Sequence, residues 1–195
     1  MRQRTGALAR LTLSDPRAAA RELMQDRAAQ ARAIELAGLV VIAGVAFSWL
    51  LSVLLPGPTV AILDTMLSKP LLYALIQFML LMISVLAIFM VGRLFGGTGS
   101  FEQTLLLSVW LQFYMLVVQV AAAGVVLLVP GLAGLLNIAI MIYFVWLTVN
   151  FIAELHGFRS LWKILAGLLG TAFALAILAS LILSLLGVSM VMDGH

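Results

Sequence analysis

The chain contains no cysteine. Disulfides, thiolate metal sites and cysteine nucleophiles are therefore excluded. Charge is almost as scarce. Only 10% of the 195 residues are charged, against about 25% in an ordinary soluble domain, too few to keep a soluble surface of this size wet. Histidine is confined to His156 and His195. Glu154 and His156 lie two apart and offer two ligands, where zinc usually takes three or four from the protein. An interfacial loop pair is the simpler reading of them. No serine in an apolar run has a base within sequence reach, and no paired acids or other charges fall deep in one. These absences weigh against serine or aspartyl hydrolysis and against proton- or ion-coupled transport, which keeps an acid or base at depth. No cofactor is expected.

Apolar residues make up 64% of the chain and gather in long runs. A run of about 18 or more reads as a membrane span. Backbone groups cannot stay unpaired in lipid, and the runs lack the alternation of a barrel strand, so the spans are helices. The expected fold is all-α: a polytopic membrane protein with a five-helix bundle, spans at about 36–55, 70–91, 104–129, 132–152 and 162–186. A basic arm with a short helix (1–35) precedes the membrane domain (36–187), and a short tail (188–195) follows it. Pro56-Gly57-Pro58 ends the first run and Pro130-Gly131 the third, since proline removes a helix donor. Between Pro58 and Lys69, Val60, Ile62, Leu63, Met66 and Leu67 suggest a loop in the interface.

The arm is not a secretory signal: it is long, and Asp15, Glu22, Asp26 and Glu35 stand among its arginines. Asp15-Pro16 is a helix start, a capping side chain followed by proline at the first helical position. Ala18 to Ile34, rich in alanine and arginine, then reads as one helix, either lying at the headgroups or solvated ahead of the first span. Orientation follows from the basic residues. With the N-terminus inside, the arm's arginines (2, 4, 10, 17, 21, 27 and 32), Arg93, Arg159 and Lys163 are all cytoplasmic, and Lys69 is outside. The positive-inside rule favours this arrangement and puts the C-terminus outside. The net charge of +3 suits anionic lipid headgroups rather than nucleic acid.

Several polar features remain. The loop Gly96-Gly97-Thr98-Gly99-Ser100 lacks the lysine and spacing of a P-loop. Ser100 with Gln103 reads as a capping box, and the same helix start could also meet a lipid phosphate. Arg17, Arg21, Gly96, Gly97, Thr98, Ser100, His156, Arg159 and Lys163 are the candidate lipid or partner contacts. Gln77, Gln112, Gln119, Asn137 and Asn150 are uncharged polar residues inside the apolar runs. Gln112 and Gln119 share one helix face by their spacing. Interhelical hydrogen bonds or a polar pathway would account for them. Ala166, Gly170 and Ala174 recur every fourth residue and suit close helix packing, within the bundle or with another chain, a second copy included. Tyr73, Trp146 and Trp162 read as interfacial anchors.

Gly92-Arg93-Leu94-Phe95-Gly96-Gly97-Thr98-Gly99-Ser100-Phe101 and His156-Gly157-Phe158-Arg159-Ser160-Leu161-Trp162-Lys163 resemble the stretches that lead into the third and fifth spans of Yip1-domain membrane proteins, short bacterial members especially. The resemblance implies a five-span protein of the bacterial inner membrane. Eukaryotic relatives bind Rab GTPases through an acidic-tyrosine-glycine-proline motif in the arm. This arm has no tyrosine, so GTPase binding is not carried over. Three functions compete: a non-enzymatic membrane organiser or scaffold acting through lipid and protein contacts, a small transporter or channel component with Gln112 and Gln119 lining a route, and an enzyme of lipid headgroups using Glu154 and His156.

Overall fold

In the computed structural model of the chain, residues 2–54 and 68–185 are described. The expected interfacial loop before Lys69, the tail from 188 and His195 lie outside them. Helix is the only regular structure among the described residues. Three short helices form the arm: α1 (Arg2–Ser14), α2 (Pro16–Gln25) and α3 (Arg27–Ala31). Four long ones follow: α4 (Ala33–Leu54), α5 (Pro70–Leu94), α6 (Phe101–Leu128) and, after a 3-10 turn over Pro130–Leu132, α7 (Ala133–His156). All four are long and apolar enough to cross a membrane. The last helix, α8 (Leu161–Leu185), is apolar too, and its fully described stretch Leu161–Ile177 is shorter than a span.

The arm differs from the single helix expected of it. Asp15 does start a helix: its carboxylate accepts from the Ala18 N–H at 2.9 Å, with Pro16 at the first position. Eleven residues later Asp26 repeats the device, accepting from the Ala29 N–H at 3.0 Å. A side chain that satisfies a free helix N–H starts a new helix, so Asp26 divides the stretch into α2 and α3. Ahead of Asp15 the chain is helical as well, although no capping residue or apolar run marks that stretch. α1 and α2 are in contact across the single linking residue Asp15.

The long helices run in alternate directions. The start of α4, the end of α5, the starts of α6 and α8 and the end of α7 therefore gather at one end, the arm side. α4, α5 and α6 pack mutually, α7 packs on α6, and α8 lies against α7 and α5. α2 lies on α7 and α6, and α3 on α6. The face α2 turns inward is Pro16, Ala19, Ala20 and Leu23, one helical stripe.

Two arm-side helix ends close identically. Just past α5 stands Gly96 with φ +83°, and just past α7 Gly157 with φ +71°, the left-handed conformation that glycine adopts without strain. The N–H of the following residue then reaches back, Gly97 to the Gly92 carbonyl and Phe158 to the Ala153 carbonyl, both at 2.8 Å. These closures bring His156 against Gly92 and Gly97, where a Cβ at either glycine would overlap the imidazole. Phe158 stacks on the ring's other side, centroids 5.5 Å apart. One ring thereby joins the end of α5, the loop before α6 and the end of α7.

Alanine at position 92 should gain about 1 kcal/mol of helix propensity but lose about 1–3 kcal/mol to overpacking against the ring. Gly92→Ala is expected to destabilise the native chain and to become neutral or stabilising in a His156→Ala background, as thermal unfolding in detergent would measure. Additive effects of the two substitutions would contradict the joint.

Candidate functional site

Two polar arrangements stand out, one between the arm and the bundle and one inside the bundle. The first begins with Arg17 and Arg21, a helical turn apart on α2. Arg17 Nε donates to Asn150 Oδ1 at 3.3 Å, and Arg21 Nη1 lies 3.0 Å from Glu154 Oε2. Asn150 and Glu154 are themselves a turn apart on α7, so the two helices run alongside each other. Asn150 also donates to the Trp146 carbonyl at 2.8 Å, which fixes its amide. Asn150 is 7% exposed, so its pairing with Arg17 satisfies a polar group that burial would otherwise penalise. The Arg21 side chain is 51% exposed, and an ion pair that open to solvent contributes about 0–1 kcal/mol. A third fastening lies deeper on α6: Trp110 Nε1 donates to the buried Thr12 Oγ1 of α1 at 3.0 Å, and Thr12 donates to the Leu8 carbonyl.

Arg17 and Arg21, candidate lipid or partner contacts, thus hold the arm to α7, and Asn150 joins α7 to the arm rather than to another long helix. Periodicity could have located α2's docking face, because Pro16, Ala19, Ala20 and Leu23 follow helical spacing. Alanine carries a weak apolar signal, which left the stripe obscure. Nothing local announced the Thr12–Trp110 bond, whose partners are far apart in the chain.

The glycine loop serves the joint. Gly97 is buried, Gly96 and Thr98 are exposed, and the capping box forms: Ser100 Oγ accepts from the Gln103 N–H at 3.2 Å while Gln103 Oε1 accepts from the Ser100 N–H at 3.1 Å. His156 is 2% exposed, and among the described residues neither ring nitrogen makes a hydrogen bond. The structure therefore uses this ring as packing. It does not pair with Glu154, whose carboxylate turns to Arg21. Arg159 and Lys163 are exposed on the same side.

The second arrangement is a cavity of about 190 Å³ among α4, α5 and α6. Gln77, Gln112 and Gln119 all line it, with Ser48 and Gly44 opposite on α4. The shared face expected for Gln112 and Gln119 is what makes this possible, and Gln77 comes to them from α5. Gln77 Nε2 donates to the Tyr73 hydroxyl at 3.0 Å, so Tyr73 has a partner inside the bundle. Toward the arm side the neighbouring residues Ala37, Val41, Leu81, Val85 and Leu105 are buried in the main apolar cluster. Asn137 is exposed near the other end of α7. Between α6 and α7 the Tyr114 and Tyr143 hydroxyls lie 3.0 Å apart, and Tyr143 stacks on Trp146. No local sequence signal marks this pair, whose members stand on different helices. Ala166, Gly170 and Ala174 are exposed on α8, outward from the bundle, and Trp162 is exposed at its start.

Four apolar helices of spanning length, exposed along most of their surface, mark an integral membrane protein. The chain belongs to the Yip1 domain family, whose model matches residues 10–184. No curated protein and no solved structure gives a significant match.

The arm contacts are expected to be unequal. Arg17→Ala leaves the buried Asn150 carbonyl without its donor and should lower stability by about 1 kcal/mol or more. Arg21→Ala should change it less, within about 0–1 kcal/mol. Thermal unfolding with hydrogen exchange across α1 and α2 would measure both; equal effects would contradict this ranking.

Proposed function

We propose that the protein is a non-enzymatic membrane organiser, acting through lipid headgroups and through helix contacts with other membrane-embedded chains. The observation that carries this reading is the docked arm. Arg17 and Arg21 hold it to α7, while Arg10, Arg27 and Arg32 stay exposed. Arg93, Arg159 and Lys163 are exposed at the same end of the bundle. A rigid basic face of this kind suits anionic headgroups, each cation near such a surface contributing about 1 kcal/mol. The positive-inside rule supports an arm side in the cytoplasm, and the bacterial inner membrane is the location that fits the family resemblance.

A fifth crossing by α8, with the C-terminus outside, is part of the same reading. Its 25 residues extend about 37 Å at helical rise. The outward Ala166, Gly170 and Ala174 support close approach of a helix from another membrane protein or a second copy.

One observation favours a second reading, a transporter or channel component: Gln77, Gln112 and Gln119 share a cavity. The apolar cluster packed on the arm side of that cavity weighs against a continuous route through one chain, so the organiser reading is preferred.

Replacing Arg10, Arg27 and Arg32 together with glutamine is expected to reduce retention of anionic lipid by up to about a hundredfold, at about 1 kcal/mol per charge. Native mass spectrometry of the purified protein with graded anionic and zwitterionic lipid reads this directly. Retention equal to that of the native chain, with the arm still docked, would overturn the headgroup contact.

A further inference from the structure

Two hydrogen bonds and an ion pair fix how far the arm reaches along the bundle. Trp110, which donates to Thr12, is the tenth residue of α6, about 13 Å from its start at helical rise. Asn150, which receives Arg17, stands six residues before the end of α7, about 9 Å along it. Arg21 meets Glu154, one turn nearer that end. From Arg17 to Arg21, α2 therefore runs toward the arm-side ends of the long helices. Its start at Pro16 lies farthest from those ends, beside the last turn of α1.

The edge of the hydrocarbon core falls at the same level. No charged residue lies between Glu102 and Glu154, and the Pro130–Leu132 turn that joins α6 to α7 is apolar. A core about 30 Å thick takes about 20 helical residues. Counted from that turn, they end at Val109 on α6 and at Ile152 on α7. Glu102 and Glu154 then fall on the water side. Trp110, a side chain suited to the boundary, stands beside the first edge, and Asn150 just inside the second. Tilting the helices would lengthen the embedded part of each and carry the arm deeper, not shallower.

We infer that the arm is not held above the membrane: its turn at residues 13–15 lies at the hydrocarbon edge, and Leu13 anchors it among lipid acyl chains. Thr12 is fully buried, whereas its neighbour Leu13 is 63% exposed. An apolar side chain presented at that depth leaves water by entering lipid. The polar groups around it suit the boundary. Ser14 donates to the Arg10 carbonyl, and Asp15 accepts from the Ala18 N–H. Arg17 is half-buried, and the apolar stem of an arginine tolerates such a level while its head finds a polar partner. The exposed Arg21, Glu22 and Gln25 all stand toward the water-side end of α2. This inference rests on the lipid contact proposed for the arm and deepens it, naming acyl chains at Leu13 where that reading names headgroups.

The chain has no cysteine, so single thiols can report depth. Leu13→Cys, Gln25→Cys and Ile138→Cys, each carrying a nitroxide, are compared in nanodiscs of zwitterionic phosphatidylcholine. The readout is collision with oxygen, which concentrates in lipid, against collision with a nickel chelate, which stays in water. Ile138 is exposed near the far end of α7, and Gln25 is exposed at the water-side end of α2. The Leu13 label should favour oxygen as the Ile138 label does, while the Gln25 label favours nickel. A Leu13 label with the preference of Gln25 would overturn the inference. Leu13→Gln should also speed amide exchange in the last turn of α1 several-fold in the same nanodiscs, and Leu13→Met should not. Exchange in Leu13→Gln equal to that of the native chain would overturn the anchor. These bilayers carry no anionic lipid, so both results are independent of the headgroup contact: either can fail while the other stands.

Discussion

Everything on the arm side is referred to one close contact, the His156 ring against Gly92 and Gly97. A helix bundle in lipid gains little from the hydrophobic effect between its members, because lipid tails are as apolar as leucine. Close packing has to hold it instead. At this contact two glycines remove the atoms that would keep α7 away from α5 and the loop before α6. Once the end of α7 is fixed there, Asn150 and Glu154, on the turns just before it, are fixed too. They are the residues that receive Arg17 and Arg21. The arm's position thus follows from a contact in which it takes no part.

That contact also accounts for the uneven packing along the helices. In α6 the buried run lies between Thr104 and Met115, and in α7 between Leu147 and His156, both toward the arm side. Farther away, Val117, Val120, Leu127, Leu135, Ile138, Met141 and Ile142 are exposed, as residues facing lipid tails should be. α6 has 28 residues and is about 42 Å long, more than a hydrocarbon core of about 30 Å. Arg93, Glu102, Glu154 and Arg159 mark the arm side as the region where the surplus meets water. Burying Leu8, Ala19, Ala20 and Leu23 against the bundle is favourable there for the ordinary hydrophobic reason. The far half has no such layer, and the glutamine cavity lies between helices toward that half.

The two polar arrangements differ in how much of them was legible beforehand. Gln112 and Gln119 share a face by helical periodicity alone, so their convergence could be anticipated. Gln77, on another helix, could not be assigned to the same cavity without knowing how α5 is rotated. Arg17 and Arg21 read as surface charges because charge is all that composition reports. Their partners lie far along the chain. His156 beside Glu154 suggested a polar pair in a loop, whereas the structure buries the ring and turns the carboxylate to Arg21.

What the amino-acid sequence determined by itself was the set of long helices and most of their limits; α1 and the break between α2 and α3 did not stand out from it. Proline, the capping residues Asp15, Asp26 and Ser100, and runs of apolar side chains act within a few residues, so their effects are written locally. The long helices begin and end within about one turn of where those signals lie. Rotation of each helix about its axis, the docking of the arm, and the meeting of Thr12 with Trp110 or of Gln77 with Gln112 were decided only by the tertiary structure. In a chain so uniformly apolar, nearly every face of a long helix is equally content in lipid. No periodic contrast marks the side that packs, and close contacts between distant residues make the choice.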